Sequence, residues 1–169
     1  GVITILRQMG ASISILNQRL SGGEVLADLR VRSTPLKGVK IAKELVSLAI
    51  DEFPILAIAA ALADGETEIS GAEELRVKES DRLSAITTGL KAIGIQVEER
   101  PDGLLITGGP IRCGSVNSFG DHRIAMAFAI AALGAENLIE IEDCANVTTS
   151  FPGFVGLAAH AGLRIREVR

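Results

Sequence analysis

Apolar positions recur along this chain in two rhythms, one near 3.6 and one of two, and their alternation divides it into short helices and shorter strands. Val2-Ile3-Thr4-Ile5-Leu6-Arg7-Gln8-Met9-Gly10 reads as the end of a helix. Gly10 takes its C′ position, where a residue without Cβ enters the left-handed conformation freely. Ser12-Ile13-Ser14-Ile15 then alternates as a half-buried strand, so the sequence is expected to open inside a structural unit. The same phrase returns at Leu90-Lys91-Ala92-Ile93-Gly94 before Ile95-Gln96-Val97-Glu98, and at Ala158-Ala159-His160-Ala161-Gly162 before Leu163-Arg164-Ile165-Arg166. A second phrase also recurs: Asp51 opens an apolar run that ends at Ala63-Asp64-Gly65, and Asp121 opens another that ends at Leu133-Gly134. From Gly94 to Gly162 and from Asp51 to Asp121 the spacing is about 70 residues in both cases, which predicts a duplicated supersecondary unit longer than a solenoid repeat.

Each unit reads as helix, strand, helix, strand, strand. The first places helices over 52–63 and 80–93, a strand over 66–69, and a hairpin of 95–99 with 104–107 about Pro101-Asp102-Gly103. The second places helices over 122–133 and 151–161 and strands over 138–142 and 163–168. Residues 1–169 thus form one domain with units at about 51–107 and 121–169 and a partial unit over 1–50. The helices that open the units are apolar nearly all round, so Ile58, Leu62, Ala127 and Ala131 should be buried. Sheets must then cover them, and the expected α/β fold has helices inside and sheets outside.

Composition narrows the function. The 169 residues are 47% hydrophobic and 22% charged with a mean hydropathy of +0.35, enough apolar material for a real core. Aromatics are only 3% and the formal charge is −4, which speaks against a face that stacks bases or a field that holds nucleic acid or anionic lipid. Cys113 and Cys144 form no CxxC and no metal motif, and a reducing cytoplasm fits them. The most apolar runs, 53–63 and 124–133, are half the roughly 20 residues a membrane span needs. No basic segment precedes an apolar stretch in the manner of a signal peptide.

Polar residues gather where helices begin. Asp51, with Pro54 behind it, and Asp121 stand as N-caps; Ser80 or Asp81 begins another helix, and Ser150 with Pro152 the last. If these N-termini share one face, Lys78, Arg82 and Arg123 would make it strongly receptive to phosphate or carboxylate. Taken singly, Asp51 and Asp121 read as plain caps, the charged run over 76–82 as a solvated helix entrance, and His122 and His160 as ordinary histidines. No Walker, Rossmann, HExxH or GxSxG pattern is present. The residues alone therefore give an anion-binding α/β domain with carboxylates near cations.

Leu75-Arg76-Val77-Lys78-Glu79-Ser80-Asp81-Arg82-Leu83, followed by Asp121-His122-Arg123-Ile124-Ala125-Met126-Ala127 and by Thr148-Thr149-Ser150-Phe151-Pro152, closely resembles the 5-enolpyruvylshikimate-3-phosphate synthase family over essentially the whole chain. The resemblance implies the C-terminal lobe of an enolpyruvyl transferase, an inside-out α/β barrel lobe of repeated βαβαββ units, facing a missing N-terminal lobe across the active site. It implies transfer of the enolpyruvyl group of phosphoenolpyruvate to shikimate 3-phosphate with release of phosphate, without metal or organic cofactor, nucleic acid or membrane. The related transferase acting on UDP-N-acetylglucosamine shares the fold but not the Lys78-Glu79-Ser80-Asp81-Arg82 run, and a non-catalytic domain of the same fold is the third reading. By the resemblance, Asp51 is the base toward the attacking hydroxyl and Glu79 the acid that protonates the phosphoenolpyruvate methylene and later takes a proton back. Lys78 reaches shikimate 3-phosphate, and Arg82 and Arg123 grip the phosphoenolpyruvate carboxylate. Two positions depart from the family pattern: Thr149 stands where many relatives have a lysine, and Glu74 where some have an asparagine. The site residues Asp51, Lys78, Glu79, Arg82 and Arg123 are expected to converge on one exposed face.

Overall fold

The computed structural model describes residues 1–168. Helix α1 (Val2–Gln8) ends with Gly10 at φ 95°, and β1 (Ser12–Ser21) follows. It turns through Gly22-Gly23, both at positive φ, into β2 (Glu24–Arg32), the twist-matched geometry of a tight antiparallel hairpin. The strand expected from Ser12 to Ile15 is therefore only the start of β1, and β2 is a strand that the sequence expectations do not include. Directly opposed pairs Ile13–Val31, Ile15–Leu29 and Leu20–Val25 make one face of this ribbon apolar, and Leu20, Val25 and Val31 are exposed on it.

Helix α2 (Lys43–Val46) runs through a 3-10 turn (Ser47–Glu52) into α3 (Phe53–Ala61), whose Pro54 sits in the first turn where no backbone N–H is needed. Strand β3 (Glu66–Ile69), a 3-10 turn (Glu73–Val77), α4 (Arg82–Ala92), β4 (Gln96–Arg100) and β5 (Gly103–Thr107) follow. Their antiparallel sheet has the order β3-β5-β4. Parallel bridges Lys37–Asp64 and Lys40–Glu68 add the chain before α2 to the β3 side. Next come β6 (Gly114–Asn117), α5 (His122–Ala131) with a 3-10 extension (Ala132–Gly134), and β7 (Ile139–Glu142), parallel to β6. Helices α6 (Asn146–Ser150) and α7 (Phe154–His160) come last.

Helices α3, α4 and α5 pack on one another, and the two sheets lie against their outer sides, so helices are inside and strands outside. Phe53, Leu56, Ile58, Ile86, Leu90, Ala127, Phe128 and Ala131 are all buried in a single cluster with the inward residues of β3 and β5. Burying such aliphatic and aromatic side chains contributes about 1.5–3 kcal/mol each, which is what holds three short helices in register. Leu62 departs from expectation at 46% exposed. Helix α3 ends at Ala61, so Leu62 is its C-cap residue and its side chain lies over Gly134 at the surface.

Two expectations at the C-terminal end fail for local reasons. Ser150 does not start the last helix; it ends α6, and α7 begins after Gly153. Pro152 disfavours helical geometry at the residue before it, and Phe151 accordingly sits at φ −142°, ψ 78°. The strand expected over 163–168 does not form. In the preceding sheet β4 pairs only with β5, and among the described residues no strand takes that place beside 163–168.

Helix α4 carries a glycine where α5 approaches most closely. A Cβ at Gly89 would stand 2.3 Å from the ring tip of buried Phe128. Ala normally gains up to about 1 kcal/mol over Gly within a helix. Here the overpacking cost of about 1–3 kcal/mol outweighs it, so Gly89→Ala should lower the urea midpoint at unchanged m-value. An unchanged or raised midpoint would show that the two helices can separate freely.

Candidate active site

Arg82 organises the site. It is the first residue of α4, and its side chain is wholly buried although it carries a full charge. Its Nε donates to Asp121 Oδ2 at 2.8 Å, Nη1 to Asp51 Oδ1 at 3.1 Å, and Nη2 to Glu79 Oε2 at 2.6 Å. A planar guanidinium suits this task because its fork presents donors to several carboxylates at once.

Asp121 is equally buried and does double duty. Its Oδ1 accepts from the backbone N–H of Arg123 at 2.9 Å, capping α5, while Oδ2 accepts from Arg82 and from the Ser80 hydroxyl at 3.1 Å. Burial alone would push its carboxyl up, but the Arg82 hydrogen bond and charge, the Arg123 N–H and Ser80 hold it below the ordinary carboxylate value. Burial likewise disfavours the Arg82 charge, and Asp121, Glu79 and Asp51 more than restore it. The sequence reads Asp121 only as a cap; nothing in its spacing announces the bond to Arg82.

Asp51 does not cap α3, whose N-cap residue is Glu52 with no side-chain bond. It lies in the preceding 3-10 turn, and its carboxylate turns toward the cations instead. Lys78 Nζ stands 3.8 Å from Asp51 Oδ1, and Arg123 reaches Asp51 through its carbonyl at 3.2 Å and its Oδ2 at 3.9 Å. The structure therefore brings together Asp51, Lys78, Glu79, Arg82 and Arg123, with Arg82 at the floor rather than on the exposed face. Asp51 and Glu79 are about half exposed above it.

The charges at this site are already paired. Lys78 donates to Glu74 at 2.6 Å, an i,i+4 contact that holds its ammonium pKa above the ordinary value. The sequence reading notes Glu74 only as a departure, although its spacing to Lys78 is the signal for such a pair. Arg82 and Lys78 are held by the chain's own carboxylates, and Arg123 makes looser contacts with Asp51, at 3.2 and 3.9 Å. Thr149 is exposed on α6. Among the described residues, no group of three or more His, Cys, Asp or Glu side chains is arranged to hold a metal ion, and no helix is long and apolar enough to cross a membrane.

An inside-out α/β lobe with arginines and carboxylates crowded at its helix starts has the fold of the enolpyruvyl transferases. The family model for EPSP synthase (3-phosphoshikimate 1-carboxyvinyltransferase) matches residues 1–157. Proteins named 3-phosphoshikimate 1-carboxyvinyltransferase from Alkalilimnicola ehrlichii and Methylococcus capsulatus are each 61% identical over 98% of this chain. The solved EPSP synthase from Acinetobacter baumannii superposes with a TM-score of 0.96 at 45% identity, over 99% of this chain and 40% of that one. The enolpyruvyl transferase NikO from Streptomyces tendae, at 21% identity and a TM-score of 0.70, shares the fold. The chain belongs to the EPSP synthase family. It spans 37% and 38% of the length of the two named relatives.

Proposed function

We propose that this chain is the C-terminal lobe of an enzyme that transfers the enolpyruvyl group of phosphoenolpyruvate to shikimate 3-phosphate and releases phosphate. The observation that carries the reading is the convergence of Asp51, Lys78, Glu79 and Arg123 around the Arg82 guanidinium. A partner lobe closes the site; the apolar face of the β1–β2 ribbon, with Leu20 and Val25 exposed, supports packing against further protein. Repeat units over about 51–107 and 121–169 with a partial unit over 1–50 belong to the same proposal. The bridges at Lys37 and Lys40 favour an earlier start for the first. A cytoplasmic setting accords with the free, exposed Cys113 and Cys144.

The chemistry follows from the charges. Phosphoenolpyruvate brings a carboxylate, for which Arg123 and the Nη groups of Arg82 are donors; binding there exchanges Asp51 and Glu79 on Arg82 for the substrate, while Nε stays with Asp121. Glu79, released from the guanidinium by the incoming substrate, takes up a proton from solvent and delivers it to the methylene carbon. The hydroxyl of shikimate 3-phosphate forms a C–O bond to the adjacent carbon as its proton passes to Asp51, and Lys78 steadies the hydroxyl and the substrate phosphate. In the second half the Glu79 carboxylate takes a proton back from the new methyl group, the C–O bond to phosphate breaks, and phosphate departs with that electron pair and with the proton held by Asp51. Glu79 thus gives one proton and recovers one, Asp51 takes one and passes it to the departing phosphate, and no further co-reactant is required.

The test is phosphate release by the full-length protein, or by this chain set in place of the matching 37% of the Alkalilimnicola ehrlichii relative. Turnover is expected with phosphoenolpyruvate and shikimate 3-phosphate; turnover only with UDP-N-acetylglucosamine as acceptor would transfer the reading to the cell-wall enzyme. Within the active protein, Glu79→Gln should lower kcat by about 10²-fold or more with KM little changed, since an amide cannot pass the proton. A normal kcat in that variant would remove Glu79 from the acid's role.

A further inference from the structure

Lys78 and Glu79 stand on a short irregular stretch: the 3-10 turn before them ends at Val77, and α4 begins only at Arg82. The residues that bracket this stretch close on each other. Arg76 Nη1 donates to Asp81 Oδ2 at 2.9 Å and Oδ1 at 3.3 Å, tying off the loop over 77–80. Asp81 is itself fixed as the N-cap of α4, accepting from the Ser84 N–H at 3.1 Å.

The same guanidinium reaches away from the site into the β4–β5 hairpin. Nε donates to the Pro101 carbonyl at 2.8 Å, Nη2 to the Arg100 carbonyl at 2.6 Å, and Nη1 also to Glu99 Oε1 at 2.9 Å. That hairpin grips the upstream end of the segment as well, where Asp102 accepts from the Gly71 N–H at 2.8 Å through its carboxylate and from the Ala72 N–H at 2.7 Å through its carbonyl. A residue kept only for surface charge has no use for two backbone carbonyls and two carboxylates arranged around one fork. Such a fork makes a loop's geometry that of the rigid element it is tied to.

We propose that Arg76 is a positioning residue for the enolpyruvyl transfer: it anchors the loop over 77–80 to the β4–β5 turn so that Lys78 and Glu79 are held at the Asp51–Arg82 cluster, without touching substrate itself. This rests on the function proposed above. Glu79 lies 2.6 Å from Arg82 and Lys78 3.8 Å from Asp51, and both follow Arg76 within three residues, so release of the anchor lets both swing. Displacements of about 1 Å can cost about 10²-fold in rate.

The experiment uses the full-length protein with Arg76→Gln, Arg76→Lys, Asp81→Asn and the Arg76→Gln/Asp81→Asn pair, assayed well below each melting temperature with phosphoenolpyruvate and shikimate 3-phosphate. Arg76→Gln is expected to lower kcat by about 10- to 100-fold while both KM values move by less than about threefold. Arg76→Lys, which keeps the ion pair but loses the fork, should fall between it and the unmutated protein. The paired variant should lose less than the product of the single losses, because both residues close the same loop. Hydrogen exchange at 77–80 should accelerate in Arg76→Gln while exchange in α3 and α5 is unchanged. The exchange measurement needs no turnover, so it tests the anchor even if the unmutated protein proves inactive on this substrate pair, a result that would count against the functional reading instead. A normal kcat per folded molecule in Arg76→Gln, or unchanged exchange at 77–80, would overturn the proposal.

Discussion

Asp121→Ala should destabilise the protein by about 3–5 kcal/mol, the usual cost of removing one partner of a buried ion pair. The pair with Arg82 is fully buried on both sides, so the guanidinium left behind finds no water to replace the carboxylate. The same substitution frees the Arg123 N–H at the start of α5 and the Ser80 hydroxyl. Asp121→Asn can still cap α5 and should cost less, with the difference between the two variants reporting the cap. The pair also makes stability sensitive to acid. The folded Asp121 carboxyl lies below its ordinary value of 3.8, so the unfolded chain binds the proton more readily. Its contribution is complete above that ordinary value and is lost as pH falls through the lower, folded one. Urea unfolding at pH 7 and at pH 3 measures both effects. A loss below about 1 kcal/mol at pH 7 would mean that Asp51 and Glu79 suffice to compensate Arg82, or that Arg82 is not buried in solution.

What was legible in the sequence follows the strength of local signals. Helices α3 and α5 announce themselves because the runs opened by Asp51 and Asp121 are apolar nearly all round, and helices of that kind are buried. Strand β2 alternates through Val25, Ala27, Leu29 and Val31, a strand signal of period two that goes unread because every residue of the strand is exposed and no buried face marks it. Strand β6 is shorter still, and its pairing with β7 is a parallel contact across an intervening helix that no local pattern encodes. The site shows the same division. The sequence motifs gather Asp51, Lys78, Glu79, Arg82 and Arg123, but which of them is buried depends on three helices meeting. That is why Arg82 becomes the floor and Asp121 its counter-ion rather than a simple cap. Arg76 belongs to this class too, since its partners Arg100 and Pro101 are brought to it by a hairpin more than twenty residues on.

The chain by itself should show no measurable transferase activity, and this is the largest effect expected of any change considered for it. Its own core should suffice for folding, since one buried cluster takes in residues from Ile5 to Ile139. The proposed reaction has a different requirement. It needs two substrates held with the hydroxyl facing the enol carbon, and orientation of that kind is worth about 7–11 kcal/mol of barrier. Here Asp51 and Glu79 stand about half exposed to water, with Arg123 37% exposed beside them. Solvent in place of a second wall screens Lys78 and Arg123 and would leave the proposed acceptor unheld on its other side. Any binding of phosphate or phosphoenolpyruvate by the chain alone should therefore be weak and should decline steeply with salt. Phosphate-release assays of the purified chain, with and without the rest of the Alkalilimnicola ehrlichii relative supplied as a second polypeptide, make the comparison directly. Silence from the chain alone and turnover from the mixture is the expected pair of results. Turnover from the chain alone would show that its own residues orient both substrates, and the reading of a site shared between two lobes would then be wrong.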